Sequence, residues 1–278
     1  MNDITESILT AEVQHGQSSR RMYLMNIREA DPAALAVELI NRSREAGYTK
    51  IFAKLPDTAA GPFLAAGYIQ EAAMPRGSSA EAATLFLAYY LDESRSIPRD
   101  AQRLQEVLDL CRSRKPAQPK KLVHTVSCEV CRSEDTPEMA EVYRRVFPSY
   151  PFPIQDAAYL RETMESHVLY CGIRIGGKLA ALASAELYPE YSQAEMTDFA
   201  TLPEHRGYGF ASILLSFMEK RLPGHGIAIP YTIARAVSPG MNITFASAGY
   251  SYSGQLINNT QISGSIETMN VWYKVLGS

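Results

Sequence analysis

Between Thr201 and Leu215 the chain reads TLPEHRGYGFASILL, two glycines and an arginine set between a strand-like run, AEMTDFATL, and an amphipathic helical run, GFASILLSFMEKRL. A strand-to-helix turn leaves the first backbone N–H groups of the helix unpaired, and these point with the positive end of the helix dipole at one spot. Gly207 and Gly209 permit backbone conformations closed to other residues and let a phosphate approach with no Cβ in the way. Arg206 adds a charge-assisted contact. A diphosphate is the natural ligand of such a turn. The spacing G-x-G-x-x-S lacks the third glycine of a dinucleotide fingerprint, and residues 202–205 lengthen the turn. No G-x-x-x-x-G-K-[ST] is present. The bland alternative is a turn whose glycines only relieve strain.

The surroundings of the turn predict its place in a fold. The 278 residues suffice for one large domain or two modest ones. The stretch CRSRKPAQPKKLVH, with five Lys/Arg and two prolines, reads as a boundary. We therefore expect an N-terminal α/β unit over 1–110, a linker over 111–123 and a second unit over 124–278. Periodicity in the second unit predicts the order β-α-α-β-β-β-α-β-α-β-β. The first unit holds a shorter echo: YTKIFAKLP then GPFLAAGYIQEA parallels IPYTIARAV then ITFASAGYSYSG. That predicts a degenerate duplicated half-domain without the glycine turn, hence without a second active site.

Composition narrows the partners. Hydrophobic residues make up 46 % and charged residues 21 %, enough for a buried core, and a net charge of −3 gives no footprint for nucleic acid or anionic membrane. No apolar run approaches the roughly 18–20 residues of a membrane helix, and the N-terminus has no signal-peptide pattern, so a cytoplasmic enzyme acting on a small molecule is expected. Cys128 and Cys131 form a C-x-x-C with no further ligands at zinc-site spacing, so two ordinary cysteines and no metal are expected.

The motif Arg206-x-x-Gly209-x-Ala211, preceded by DFATLPEH, resembles the acetyl-CoA pyrophosphate loop of GNAT-family N-acetyltransferases. The element order of 124–278 matches that family too. The C-terminal run from YTIARAV to VWYKVL, together with AEMTDFATLPEHRGYG and the two-unit layout, resembles the β-lysine N-acetyltransferases of the compatible-solute pathway. The segment AMPRGSSAEAATLFLAYYLDE fits that family less well. The resemblance implies a GNAT fold, an α/β (α+β) mixed, mostly antiparallel sheet flanked by helices. It also implies transfer of acetyl from acetyl-CoA to the side-chain amine of β-lysine. An acetyltransferase for another small amine or polyamine is one alternative, and a non-catalytic CoA-binding sensor is another. A homodimer is compatible with all three.

The resemblance also assigns residues. Phe199, Ala200, Thr201, Arg206, Gly207, Tyr208, Gly209, Phe210, Ala211 and Asn242 are the expected cofactor contacts, with Asn242 alternatively a helix cap. Alternation along AEMTDFATL puts Glu195, Thr197 and Phe199 on one face and Met196, Asp198 and Ala200 on the other. Glu195 is the expected general base and Asp198 the expected ammonium anchor, with the reverse assignment open. Arg235, Asn258 and Asn259, with the aromatic loop residues Tyr150 and Phe152, are the expected acceptor contacts. Phe245 stands where many GNAT enzymes carry a tyrosine general acid. Tyr250 or Tyr252 is then a substitute, or the thiolate leaves without an acid.

Overall fold

The computed structural model describes residues 3–77, 79–114, 126–262 and 264–277. The first half forms a six-stranded sheet from β1 (Ile4–Ile8), β2 (Ala11–Gly16), β3 (Arg21–Asn26), β4 (Lys50–Pro56), β5 (Ile69–Arg76) and β6 (Ser79–Tyr90), with helices α1 (Pro32–Glu45) and α2 (Ala60–Ala65). After α3 (Ala101–Arg112) comes a seven-stranded sheet. Its strands are β7 (Val126–Val130), β8 (Val168–Ile175), β9 (Lys178–Tyr188), β10 (Gln193–Thr201), β11 (Ile229–Arg235), β12 (Ser251–Ile262) and β13 (Ser265–Tyr273). Helices α4 (Thr136–Val146), α5 (Ala157–Ser166), α6 (Phe210–Glu219) and α7 (Pro239–Ser247) complete it. The element order is the one that hydrophobic periodicity predicts for 124–278.

The two sheets repeat one plan. The first is ordered β1-β2-β3-β4-β6-β5 and the second, read from the same end, β7-β8-β9-β10-β11-β13-β12. Each has one parallel pair, β3–β4 and β10–β11, and the other pairings are antiparallel. A parallel pair needs a crossover, supplied by α1 in one case and α6 in the other. Each second parallel strand is followed by a short helix, Ala-Gly-Tyr and a hairpin. The second sheet adds β7, α4 and α5. This is the GNAT arrangement and a reduced copy of it.

Helices cover one face of the first sheet and both faces of the second, because their apolar stripes must be buried. Phe63 and Leu39 lie in the first core, Leu214 and Met218 of α6 beneath the second sheet, and Tyr143 and Leu160 of α4 and α5 on its other side. Helix α3 corrects the expected boundary. Its stripe of Val107, Leu108 and Cys111 joins the core of the second sheet, so the helix belongs by packing to the unit that follows it. The expected linker, 111–123, therefore opens inside this helix, and its residues 115–123 lie outside the described residues.

The halves share a fourth core, in which Tyr23, Phe52 and Phe86 meet Tyr231, Leu256 and Met269. Polar contacts fix its register. The β12–β13 ladder is irregular between Leu256 and Thr260, which frees three consecutive carbonyls of β12. Each meets a cation from the first half: Lys50 Nζ donates to Ile257 O (2.7 Å), Arg95 Nε to Asn258 O (2.8 Å) and Arg21 Nη1 to Asn259 O (3.2 Å). Buried carbonyls left without donors would be costly, so the bulge and the cations depend on each other. Nearby, β12 runs so close to β5 that a Cβ on Gly254 would lie 2.2 Å from Glu71 O. Gly254→Ala should therefore push the two halves apart and destabilise the chain by about 1–3 kcal/mol, read as a lower denaturant midpoint; an unchanged midpoint would refute the tight approach.

Candidate active site

The site begins where β10 leaves its neighbours. β10 and β11 pair only at Gln193–Ile229, Ala194–Pro230 and Glu195–Tyr231, and beyond that point they diverge. On its other edge β10 is bulged against β9 between Thr197 and Ala200, and Asp198 has a φ of 54°. A residue in the left-handed region inside a strand turns its side chain out of the alternation. The strict two-face reading of AEMTDFATL is thereby corrected: Asp198 does not follow Met196 into the core but lines one cavity with Glu195 and Thr197.

Two connected hollows result. An acidic cavity, about 660 Å³ counting its open mouth, is lined by Glu186, Glu195 and Asp198 on one side and by Arg21, Tyr23 and Phe52 of the first half on the other. A groove of about 550 Å³ lies in the cleft between β10 and β11, walled by Met196–Phe199 and by Thr232–Arg235. Tyr150, Thr197 and Asp198 line both. The proline-rich loop between α4 and α5 supplies Tyr150 and, to the cavity, Phe152.

Burial raises the pKa of each cavity carboxyl group. Glu195 and Glu186 face each other directly across β10 and β9, a costly like-charge pairing. Burial first, and then the neighbouring Glu186, push the Glu195 carboxyl up to about 7, while Lys54 and a hydrogen bond from Tyr231 pull the other way. Tyr231 Oη donates to Glu195 Oε2 (3.0 Å) and accepts from Lys54 Nζ (3.0 Å), so a buried cation of the first half braces the carboxylate through one phenol. Lys54 also lies 4.1 Å from the Tyr188 ring centre, and Tyr188 Oη donates to Glu186 Oε2 (2.9 Å). Burial likewise raises Asp198 to about 6, against hydrogen bonds from Ser184 and Tyr150 that favour its charged form. The Ser184 hydroxyl lies 2.7 Å from Asp198 Oδ2. Two carboxyl groups titrating near neutrality are suited to exchange protons with an amine.

The glycine turn follows β10, the strand whose Met196–Phe199 wall the groove. Gly207 and Gly209 have φ of 85° and 80°, values that other residues adopt only under strain. Gly209 is the N-cap of α6 and provides no side-chain bond, so the first N–H groups of the helix stay open to a ligand. Arg206, Gly207 and Tyr208 are exposed around it, Tyr208 resting on the Phe210 ring at 5.8 Å between centres, with Ala211 half-buried in the first turn. The first half lacks this feature. At the same point α1 is capped by Asp31, whose Oδ1 accepts from Ala34 N at 2.8 Å. A fixed carboxylate already fills that anion site.

These surroundings fit acetyl-CoA. β10 past Glu195 has no β11 partner, which leaves the strand edge at Phe199–Thr201 able to pair with an extended amide chain, and the turn suits a diphosphate.

Five residues expected at the site stand elsewhere. Asn242 is buried and fully used: its Oδ1 accepts from Asn270 and Trp272 at 2.9 and 2.8 Å, and its Nδ2 donates to Arg235 O and Ser238 O. It holds α7 against β11 and β13 and has no polar atom left for a cofactor, and the N-cap of α7 is Ser238. Arg235 lies along the groove, outside the acidic cavity, and is paired with Glu267 at 2.8 Å. Asn258 spends its amide on Arg95 O and Ile97 O, joining the two halves. Tyr250 is buried behind Phe245, and Tyr252 packs edge-on against Trp272, so neither reaches either hollow. Asn259 does line the cavity.

Sequence reasoning missed Arg21, Lys54, Glu186 and Tyr231. One signal was available: Lys50 and Lys54 stand inside the otherwise apolar strand KIFAKLP, where a cation needs a partner.

A family profile described as acetyltransferase (GNAT) family matches residues 136–238. The chain is 34 % identical over 273 residues to a beta-lysine N(6)-acetyltransferase of Methanococcus maripaludis, covering 98 % of this chain and 97 % of that one. It is 31 % identical over 278 residues to the N-acetyltransferase YodP of Bacillus subtilis, covering 99 % and 100 %. Another beta-lysine N(6)-acetyltransferase, from Methanosarcina mazei, is 42 % identical over 142 residues, about half of each chain. The likeness to the first two runs through both sheets and not only through the turn, and the chain belongs to the GNAT family of acetyltransferases.

Proposed function

We propose that this chain moves an acetyl group from acetyl-CoA to the terminal side-chain amine of β-lysine, giving Nε-acetyl-β-lysine. The observation that carries this reading is the meeting of the groove and the acidic cavity at Asp198 and Tyr150, in a chain alike along nearly its whole length to a beta-lysine acetyltransferase. Acetyl-CoA, when bound, supplies the activated acetyl thioester. The strand edge at Phe199, Ala200 and Thr201 holds its extended arm, and the Arg206–Ala211 turn holds its diphosphate. The Phe199 N–H is the donor for the acetyl oxygen.

The acceptor arrives as an ammonium, whose ordinary pKa of about 10.4 leaves it almost wholly protonated at neutral pH. The carboxylates of the cavity draw it in, and removal from bulk water weakens its hold on the proton. Glu195 takes that proton, while Asp198, fixed by Ser184, orients the amine. Tyr150 is the tyrosine that lines the groove, and its hydroxyl replaces the one that Phe245 lacks. β-Lysine carries two ammonium groups and one carboxylate. Acetylation removes one positive charge and leaves a net-neutral product, the charge state suited to a compatible solute.

Purified protein given acetyl-CoA should release free thiol with β-lysine and far more slowly with spermidine; equal release with both would remove β-lysine as the specific acceptor. In the wild type, kcat/KM should rise with pH up to about 7 and then level, because Glu195 acts only when ionised. Glu195→Gln should lower kcat about 100- to 1,000-fold and lose that limb of the profile, whereas a wild-type profile in this variant would transfer the role of base to Asp198. Gly209→Val should weaken acetyl-CoA binding at least about 100-fold in calorimetry, through both the backbone conformation and the blocked approach; unchanged affinity would place the diphosphate elsewhere.

A further inference from the structure

Arg21 and Asn259 line the acidic cavity but not the groove, so they lie away from the point where the two hollows join. Arg21 opens β3, is 5 % exposed, and is held over the rings of Tyr23 and Phe52 at 5.1 and 5.7 Å. Its one hydrogen bond among the described residues goes to a neutral carbonyl, Asn259 O. Among those residues no carboxylate lies within 4 Å of it, whereas Arg174 is met by three and Arg235 by one. A guanidinium removed from water without a counter-ion is costly. Burial lowers its pKa only to about 10, which leaves it charged at neutral pH. Beside it, Asn259 is 2 % exposed, and its Oδ1 has no donor among the described residues. One cavity wall thus presents a cation without an anion and an oxygen without a donor.

Resting on the acyl-acceptor reading above, we propose that Arg21 and Asn259 form the subsite for the far end of the acceptor: the guanidinium fork takes its carboxylate, and the Asn259 amide oxygen takes the ammonium on its β-carbon. Both partners satisfy groups that the free protein leaves unmatched, and the planar fork suits two carboxylate oxygens. The acceptor then spans the cavity with its terminal amine toward Glu195 and Asp198, at the mouth of the groove. The first sheet thereby contributes Arg21, and β12 of the second sheet Asn259, to the choice of substrate.

Two truncated acceptors separate the two contacts. Pentane-1,4-diamine is β-lysine without its carboxylate, and 6-aminohexanoate is β-lysine without its β-amine. Initial rates of thiol release should give the wild type a preference in kcat/KM for β-lysine over each of them of about 10- to 100-fold. Arg21→Met should erase the preference over pentane-1,4-diamine and keep much of that over 6-aminohexanoate. Asn259→Ala should do the reverse. Arg21→Lys, which keeps the charge but not the fork, should retain part of the first preference and serves as the deciding variant if Arg21→Met does not fold. A wild type that treats the three acceptors alike overturns the subsite while acetyl transfer to β-lysine stands. Variants that keep both preferences overturn it as well. A wild type silent on all three overturns the subsite and the acceptor reading together.

Discussion

The divergence of β10 from β11 after the Glu195–Tyr231 pair creates both hollows of this molecule. Two strands that stayed in register would bury their backbone groups in each other and leave no opening in the middle of a sheet. Here the ladder stops after three pairs, and the bulge at Asp198 bends β10 away on its other side as well. The strain of a left-handed aspartate is offset by what surrounds it, a hydroxyl on each side and a sheet edge that has lost its partner. A gap within a sheet is unusual because unpaired backbone groups are costly to bury. It is sustainable where a ligand with amide groups of its own fills it.

The first half follows the same plan with a different start to its crossover helix. Its β3 and β4 pair over four residues, from Arg21–Lys50 to Leu24–Ala53, and Asp31 caps its crossover helix. With a carboxylate fixed at the start of that helix, it has no open anion site there. It forms a wall instead: Tyr23 and Phe52 shape the acidic cavity, Lys54 braces Glu195 through Tyr231, and Lys50, Arg95 and Arg21 meet the three carbonyls freed in β12. Cations from one half and backbone oxygens from the other make the junction specific in a way that apolar packing alone would not.

The electrostatics of the cavity follow from this layering. Three carboxyl groups converge on one space where water is limited, and each raises the cost of ionising the next. Lys54 and the phenols of Tyr188, Tyr231 and Tyr150 limit that cost without abolishing it. The balance leaves Glu195 near the pH at which proton transfer to and from an amine is most useful. It also leaves the cavity prepared for a molecule that brings positive charge with it.

Much of this was legible along the chain. The strand, glycine turn and helix at 193–219 dictate local geometry through short-range sterics and periodicity, so the turn, the element order and the echo between the halves all survive in the structure. Glu195, Asp198 and Tyr150, singled out along the chain, line one cavity. Alternation failed at Asp198, because a bulge depends on what the neighbouring strand does and has no local signature. Asn242, Asn258 and Arg235 were misread for a related reason: a polar side chain looks available in a sequence until its partners, here from strands and helices distant in the chain, occupy it. Arg21 and Lys54 joined the site only when two sheets packed face to face. The sequence by itself determined the glycine turn and the residue types of the strand beside it, since those rest on contacts within a few residues. Only the tertiary structure decided which charges meet across the cavity, because pairing between distant segments is set by how whole sheets bury their apolar faces.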